Sequence, residues 1–297
     1  MNDPEVSVLV TNYNSFECIQ LCIESIRFYT QYPNYKIIIY HDASYVPSKD
    51  GTEREPNIID RDYLRGCQKK GWITLHENLS RNALGHGGAL NKLVNVYCDT
   101  KYAAILDCDT QIVDYGWLEG LVSLARTDEN ILAIVDYKPG GFARYHYRTG
   151  FQTWWFGLLN IEAYRDGMQV DWQISWEDRR KYPYEKEISE FYPPENCKWT
   201  DYWNKVSYIV KDEFDVNKVV NDPGSQLHIK SKYFNPKDYK VVSVPSDIKA
   251  KYYHYGRISR ISIASPDDEP RIRQVREERF SRIKKELARL REMGCDA

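Results

Sequence analysis

With 297 residues, 42% of them hydrophobic and 28% charged, the chain can bury one large core or two small ones, and its composition excludes the disordered and fibrous classes. A formal net charge of −2 excludes a general pull toward nucleic acid or an anionic membrane. The seven cysteines are scattered with no CxxC pair, which argues for reduced thiols. No apolar run approaches the roughly 18–20 residues of a bilayer span, and no signal-peptide pattern opens the chain, so a cytoplasmic location is expected.

The predicted elements begin with VSVLV at 6–10, a buried parallel strand that runs into the polar loop TNYN. Ile19, Cys22, Ile23 and Ile26 recur at helical spacing and predict a helix over 16–31. KIIIY at 36–40 is a second buried strand and ends in HDAS; WITL at 72–75 is a shorter third. Leu90, Leu93, Val94 and Tyr97 predict a helix over 86–98. AAIL at 103–106 and ILAIV at 131–135 are the fourth and fifth strands. Alternating strands and helices predict an α/β fold, a doubly wound, mostly parallel sheet flanked by helices. Ligands of such sheets bind beyond the carboxyl ends of the strands, where TNYN, HDAS and DCDT all fall.

After residue 136 the pattern weakens. The segment 176–204, rich in Trp, Tyr, Pro and charge, reads as a long insertion or lid rather than a separate domain. KVVSVP at 240–245 restores a strand. The stretch 269–293 is a basic helix with Ile272, Val275, Phe280, Ile283, Leu287 and Leu290 on one face. It is expected to pack on the domain or on a partner chain, leaving open a homodimer contact or a peripheral membrane contact.

The fourth strand ends in Asp107 and Asp109, which flank a single residue. Two carboxylates at a ligand-binding strand end suit a hard divalent cation, Mg²⁺ or Mn²⁺, which takes oxygen ligands and shares them with substrate phosphates. Gly85, Gly87 and Gly88 let backbone approach a ligand or form a helix-entry turn. Arg81 and Asn91 stand beside them as candidate polar contacts to such a ligand.

At these residues the chain resembles a known family. VSVLVTNYN at 6–14, HDAS at 41–44, NALGHGGALN at 82–91 and LDCDT at 106–110 match, in order and spacing, the successive motifs of family 2 glycosyltransferases. The resemblance covers about the first 135 residues and implies a GT-A fold. It implies one catalytic domain over 1–265, with a nucleotide-sugar-binding half at 1–135 and an acceptor-binding half at 136–265, followed by the basic helix at 266–297. It implies an inverting transfer of a sugar from a nucleotide-diphosphate sugar, UDP-sugar favoured, to a hydroxyl on a saccharide or small molecule.

The resemblance also assigns residues. Asp109 binds the metal directly; Asp107 binds it through water or contacts the donor ribose and sugar. DPGSQLH at 222–228, KVVSVP and YYHYGRIS at 252–259 look like the family's catalytic Asp, following strand and loop His, so Asp222 becomes the general base and His254 the third metal ligand. A neutral imidazole suits Mn²⁺, and Arg257 and Arg260 follow closely enough to pair with the diphosphate. The family usually has Glu-Asp at the catalytic position where this chain has Asn221-Asp222, so the literal pair Glu177-Asp178 competes. Thr11, Tyr13 and Asp42 are implied base contacts: a carboxylate accepts the imide N–H of uracil or thymine and equally the N–H groups at N1 and N2 of guanine, which leaves the base open, and Tyr13 stacks on the ring. Trp154, Trp155, Trp172 and Trp176 form either an aromatic acceptor wall or core. Two other readings stand beside transfer: a nucleotidyltransferase of related fold, against which TNYN lacks a Gly-rich loop and a cation, and a catalytically idle sugar-nucleotide-binding module.

Overall fold

The structure, a computed structural model, describes residues 3–13, 15–42, 45–47, 54–56, 58–80, 84–136, 155–172, 175–178, 218–221, 227, 230–231, 237–255 and 270–295. In chain order the elements are β1 (Val6–Asn12), α1 (Phe16–Tyr29), β2 (Tyr35–His41), β3 (Tyr45–Pro47), β4 (Arg54–Pro56), α2 (Ile58–Lys69), β5 (Thr74–Glu77), α3 (Gly85–Lys92), β6 (Tyr102–Asp107), β7 (Thr110–Ile112), α4 (Trp117–Ala125), β8 (Ile131–Val135), β9 (Phe156–Asn160), α5 (Ile161–Ala163), β10 (Ser175–Asp178), β11 (Lys218–Asn221), β12 (Lys240–Ser243), α6 (Ser246–Lys249), β13 (Tyr252–His254) and α7 (Pro270–Glu292).

Seven strands form the central sheet in the order β12-β8-β9-β6-β1-β2-β5. Neighbours run parallel except at β9, which is antiparallel to both β6 and β8. The expected doubly wound α/β sheet is thus present. β1 is buried along its whole length, as a strand covered by helices on both faces must be. Its side chains alternate between two cores. Val6, Val8 and Val10 face one core with Ile37, Ile39, Ala104 and Leu106, covered by residues of α1, α2, α4 and α7. Leu9, Ile38, Ala103 and Ile105 face the other, covered by Ala89 and Leu90 of α3 and by Tyr164 and Trp172.

Among the elements outside the sequence expectations, three build the core: β9, α2 and α4. β9 carries only FGLLN, too short for a period to show, yet it is buried at all five positions between β6 and β8. α2 is mostly polar and sends Leu64 and Cys67 to the core. α4 buries Trp117, Leu118, Leu121, Val122 and Ala125, a helical spacing that sits between two strands. The helix expected over 86–98 is regular to Lys92 and then widens over Leu93–Tyr97, closing with the Cys98 N–H on the Leu93 carbonyl at 2.9 Å.

The basic helix runs Pro270–Glu292 and packs on the domain. Ile283, Leu287 and Leu290 are buried in the same core as Val8 and Ile19, while Val275, expected on that face, is exposed. Gln111 and Arg289 both bond Glu286 of this helix, at 3.2 and 2.9 Å. The cysteines at 18, 22, 67, 98, 108 and 295 are buried free thiols, as expected of a reduced protein. Among the described residues no helix is long and apolar enough to cross a membrane. Apart from the backbone of 176–178, the expected insertion at 176–204 lies outside the described residues.

Candidate active site

The strand order reverses between β1 and β6: the chain steps from β1 to β2 and β5 on one side, then returns to β6 on the other. Such a switch point opens a crevice at the carboxyl ends of the strands. Thr11 and Asp107 are register partners across it, and Asn12 pairs with His41, the residue before Asp42. The three polar loops therefore meet at one edge.

β6 ends at Asp107, and β7 follows almost at once. β7 pairs antiparallel with β13, which sets Thr110 opposite His254. The Tyr255 N–H donates to the Asp109 carbonyl at 3.0 Å and fixes that register. His254 Nε2 thereby stands 3.0 Å from Asp109 Oδ1 and 3.7 Å from Asp107 Oδ2. One ligand atom from each of Asp107, Asp109 and His254 lies within 4.8 Å of the others. Behind them, Trp155 stacks on His254 with ring centroids 4.2 Å apart and planes 12° apart. Its carbonyl accepts the Asp107 N–H at 2.9 Å.

Burial pushes the Asp107 carboxyl up to about 6; the neighbouring carboxylate of Asp109 adds to this, and His86 and His254 oppose it. Asp107 Oδ1 is buried and has no hydrogen-bond partner among the described residues. Two carboxylates and an imidazole converging within 4.8 Å fit a divalent cation that takes oxygen and nitrogen ligands.

Around this centre the other expected residues divide. Thr11 is nearly buried, and its hydroxyl bonds His86 Nδ1 at 3.1 Å. The other nitrogen of that ring, Nε2, faces Asp107 Oδ1 at 3.5 Å. Asp42, also nearly buried, accepts three hydrogen bonds: from Asn78 Nδ2 at 3.1 Å, the Leu84 N–H at 2.8 Å and the Gly85 N–H at 2.7 Å. It holds the start of α3, where free backbone N–H groups favour a carboxylate. Gly85 has φ +77° with open space around a Cβ position, so the turn's conformation, rather than crowding, calls for glycine. The Asn91 amide donates to Asp171 and accepts the Trp172 N–H at 2.9 Å. Tyr13 is partly exposed at the loop after β1.

Trp172 is fully buried with its indole N–H on the Tyr164 hydroxyl at 3.0 Å, so it is core and no part of an acceptor wall. Trp155 is a buttress for His254. Asp222, Arg81, Trp154, Arg257 and Arg260 lie outside the described residues. β10 and β11 form one antiparallel ladder, with Asp178 opposite Lys218 at one end and Ser175 opposite Asn221 at the other. Three residue steps separate those ends, about 10 Å. Sequence reasoning missed His86 and gave Trp155, read as acceptor wall or core, no place beside His254. His86 carried a signal, an imidazole among glycines at a predicted helix start, but its role needs the β1–β6 register to be seen.

The family profile described as Glycosyl transferase family 2 matches residues 7–175, more than half of the chain. No curated protein matches. Among solved structures, TarS 1–349 of S. aureus is 13% identical, with 96% of this chain and 73% of that one covered and a TM-score of 0.44. The mannosyltransferase PcManGT from Pyrobaculum calidifontis, in complex with GDP-Man and Mn²⁺, is 16% identical over 56% of this chain, with a TM-score of 0.41. Glucosyl-3-phosphoglycerate synthase from Mycobacterium tuberculosis, in complex with Mn²⁺, UDP and its product, is 16% identical over 54% of this chain, with a TM-score of 0.38. The chain spans 47% of the mannosyltransferase and 58% of the synthase.

Proposed function

The chain belongs to glycosyl transferase family 2, and from that premise we propose that it moves a sugar, with inversion, from a UDP-sugar to a hydroxyl of a saccharide or small molecule. The observation that carries this reading is the meeting of Asp107, Asp109 and His254 at the switch point of the sheet. Asp109 Oδ1 and His254 Nε2 hold a Mn²⁺ or Mg²⁺ ion, with Asp107 joining directly, through water, or by way of the donor ribose and sugar. When bound, the cation offsets the charge that develops on the diphosphate leaving group.

The base is held by Thr11, Tyr13 and Asp42. Three acceptor positions of Asp42 are filled from Asn78, Leu84 and Gly85. A carboxylate offers about four, so it retains room for the single imide N–H of uracil and not for the two donors of guanine. This supports UDP over GDP. Arg81 and Gly85 serve the diphosphate side. Asn91 keeps α3 against the 171–172 segment. Asp222 is the general base: the acceptor hydroxyl gives its proton to this carboxylate, its oxygen bonds the anomeric carbon, and the bond to the diphosphate oxygen breaks with its electron pair leaving on UDP. An Asp with a pKa near 4 does this late in the transition state, when the hydroxyl has become acidic.

The same reading makes 1–265 one catalytic domain in the cytoplasm. It leaves for any homodimer or membrane contact of α7 its exposed surface, which carries Lys284 and Lys285, because Ile283, Leu287 and Leu290 are buried within the chain. The test is release of UDP from a panel of UDP-sugars with Mn²⁺. Slow hydrolysis that chelation and Asp109→Asn both abolish is expected; hydrolysis indifferent to either contradicts the reading.

A further inference from the structure

His86 belongs to none of the roles described so far, yet both of its ring nitrogens are engaged at the switch point. It stands in the first turn of α3, whose start is held by Asp42 through the Leu84 and Gly85 N–H groups. Nδ1 lies 3.1 Å from the hydroxyl of Thr11, on β1. Nε2 lies 3.5 Å from Asp107 Oδ1, on β6. One imidazole thus spans three elements, and Thr11 and Asp107 are register partners on adjacent strands. The oxygen it faces is the buried one without a hydrogen-bond partner among the described residues. The other oxygen of the same carboxylate, Oδ2, faces His254.

We propose that His86 is a positioning residue for the metal centre. Thr11 donates its hydroxyl proton to Nδ1, which fixes the tautomer with the proton on Nε2. That N–H is directed at Asp107 Oδ1 and turns the carboxylate so that Oδ2 alone is presented beside Asp109 Oδ1 and His254 Nε2. At 3.5 Å the Nε2 contact is longer than a formed hydrogen bond, so it orients the carboxylate without competing for the oxygen that the cation uses. Carboxylates and imidazoles that ligate metals are commonly held by an outer partner of this kind, and losing one weakens metal binding about 10–100-fold. The inference rests on the metal-centre reading above and adds to it the residue that orders the centre.

The experiment is direct titration with Mn²⁺ alone, followed by calorimetry and by the electron paramagnetic resonance of free Mn²⁺, at one fixed pH and without nucleotide. His86→Ala is expected to weaken Mn²⁺ binding about 10–100-fold. His86→Gln, whose amide N–H reaches a similar position, restores affinity to within about threefold of the unaltered protein. Thr11→Val keeps the shape of Thr11 and removes its hydroxyl; it shifts affinity in the same direction as His86→Ala and by less. Circular dichroism and melting temperature establish that each variant is folded. If the unaltered protein binds Mn²⁺ and His86→Ala binds it equally well, the role of His86 is overturned and the metal centre stands. Equal losses in His86→Ala and His86→Gln also overturn it, because a side-chain N–H offered from this position would then do nothing for the centre. If the unaltered protein does not bind Mn²⁺, the metal-centre reading itself fails.

Discussion

Trp155 joins two candidate metal ligands that the chain supplies from distant strands. Its indole lies flat on His254, centroids 4.2 Å apart, while its carbonyl accepts the Asp107 N–H at 2.9 Å. The backbone bond does not depend on the side chain, so Trp155→Leu removes the stack together with the ring contacts to Phe156 and Tyr252. We expect this variant to stay folded and to bind Mn²⁺ about tenfold more weakly, the lower end of the cost of losing an outer partner. Trp155→Phe keeps a ring face against His254 and holds affinity close to that of the unaltered protein. Equal affinity in Trp155→Leu would mean that the β7–β13 pairing alone places His254.

Metal affinity is expected to depend on pH through Asp107. Burial, with Asp109 beside it, keeps this carboxyl protonated up to about 6 in the metal-free protein. Cation binding needs the carboxylate. Below that pH, Mn²⁺ affinity falls by at least about tenfold per unit; above it, this group contributes no further change. The sign for stability follows from the raised value. The contribution of Asp107 to the metal-free fold is present at low pH and lost as pH rises through about 6. The rise in melting temperature on adding Mn²⁺ therefore grows between about pH 5 and pH 7. Melting curves with and without Mn²⁺ across that range check both statements.

Glu24 offers a stability test away from the site. It is fully buried in α1, where it accepts from Gln20 Nε2 at 3.1 Å and stands 3.5 Å from Arg291 of α7. Oε2 has no partner among the described residues. Burial raises its pKa against the pull of Arg291 and Gln20, so its ionisation costs the fold stability as pH rises. Glu24→Gln keeps the shape and removes that cost, and the half-exposed Arg291 returns to water. The variant should melt a few degrees higher at neutral pH, and the gap should close toward about pH 4. A lower melting temperature at neutral pH would show that the Glu24–Arg291 pair outweighs the burial of the charge.

The two candidate bases, Asp222 and Asp178, are told apart by mutation. Asp222→Asn should cut turnover about 10²–10⁴-fold while leaving UDP binding intact. Asp178→Asn should leave turnover near normal. Steady-state rates together with UDP affinity check this, and the reverse pattern moves the base to Asp178.

The parallel half of the fold was legible because it is doubly covered. Val8, Ile38 and Ile105 stand in runs buried on both faces, and such runs read as strands without any alternation. The candidate metal site was legible as a carboxylate pair ending one of those runs, and His254 through the resemblance. Phe156–Asn160 was not legible: its burial comes from β6 and β8 on either side, and nothing in FGLLN announces that. The Trp residues at 155 and 172 look alike in sequence, yet one stacks on His254 and the other fills the core beside Tyr164. His86 needs the β1–β6 register to bring Thr11 and Asp107 together. Where a role depends on which strands are neighbours, composition and spacing along one chain do not contain it.

The most direct test of the account is calorimetric titration with UDP and GDP, each with and without Mn²⁺. UDP should bind tightly only with Mn²⁺, GDP should bind more weakly, and Asp109→Asn should abolish the effect of the metal on UDP. If neither nucleotide binds, or if Mn²⁺ makes no difference to either, then Asp107, Asp109 and His254 do not form the diphosphate-binding metal centre argued for, and the idle-module reading takes its place.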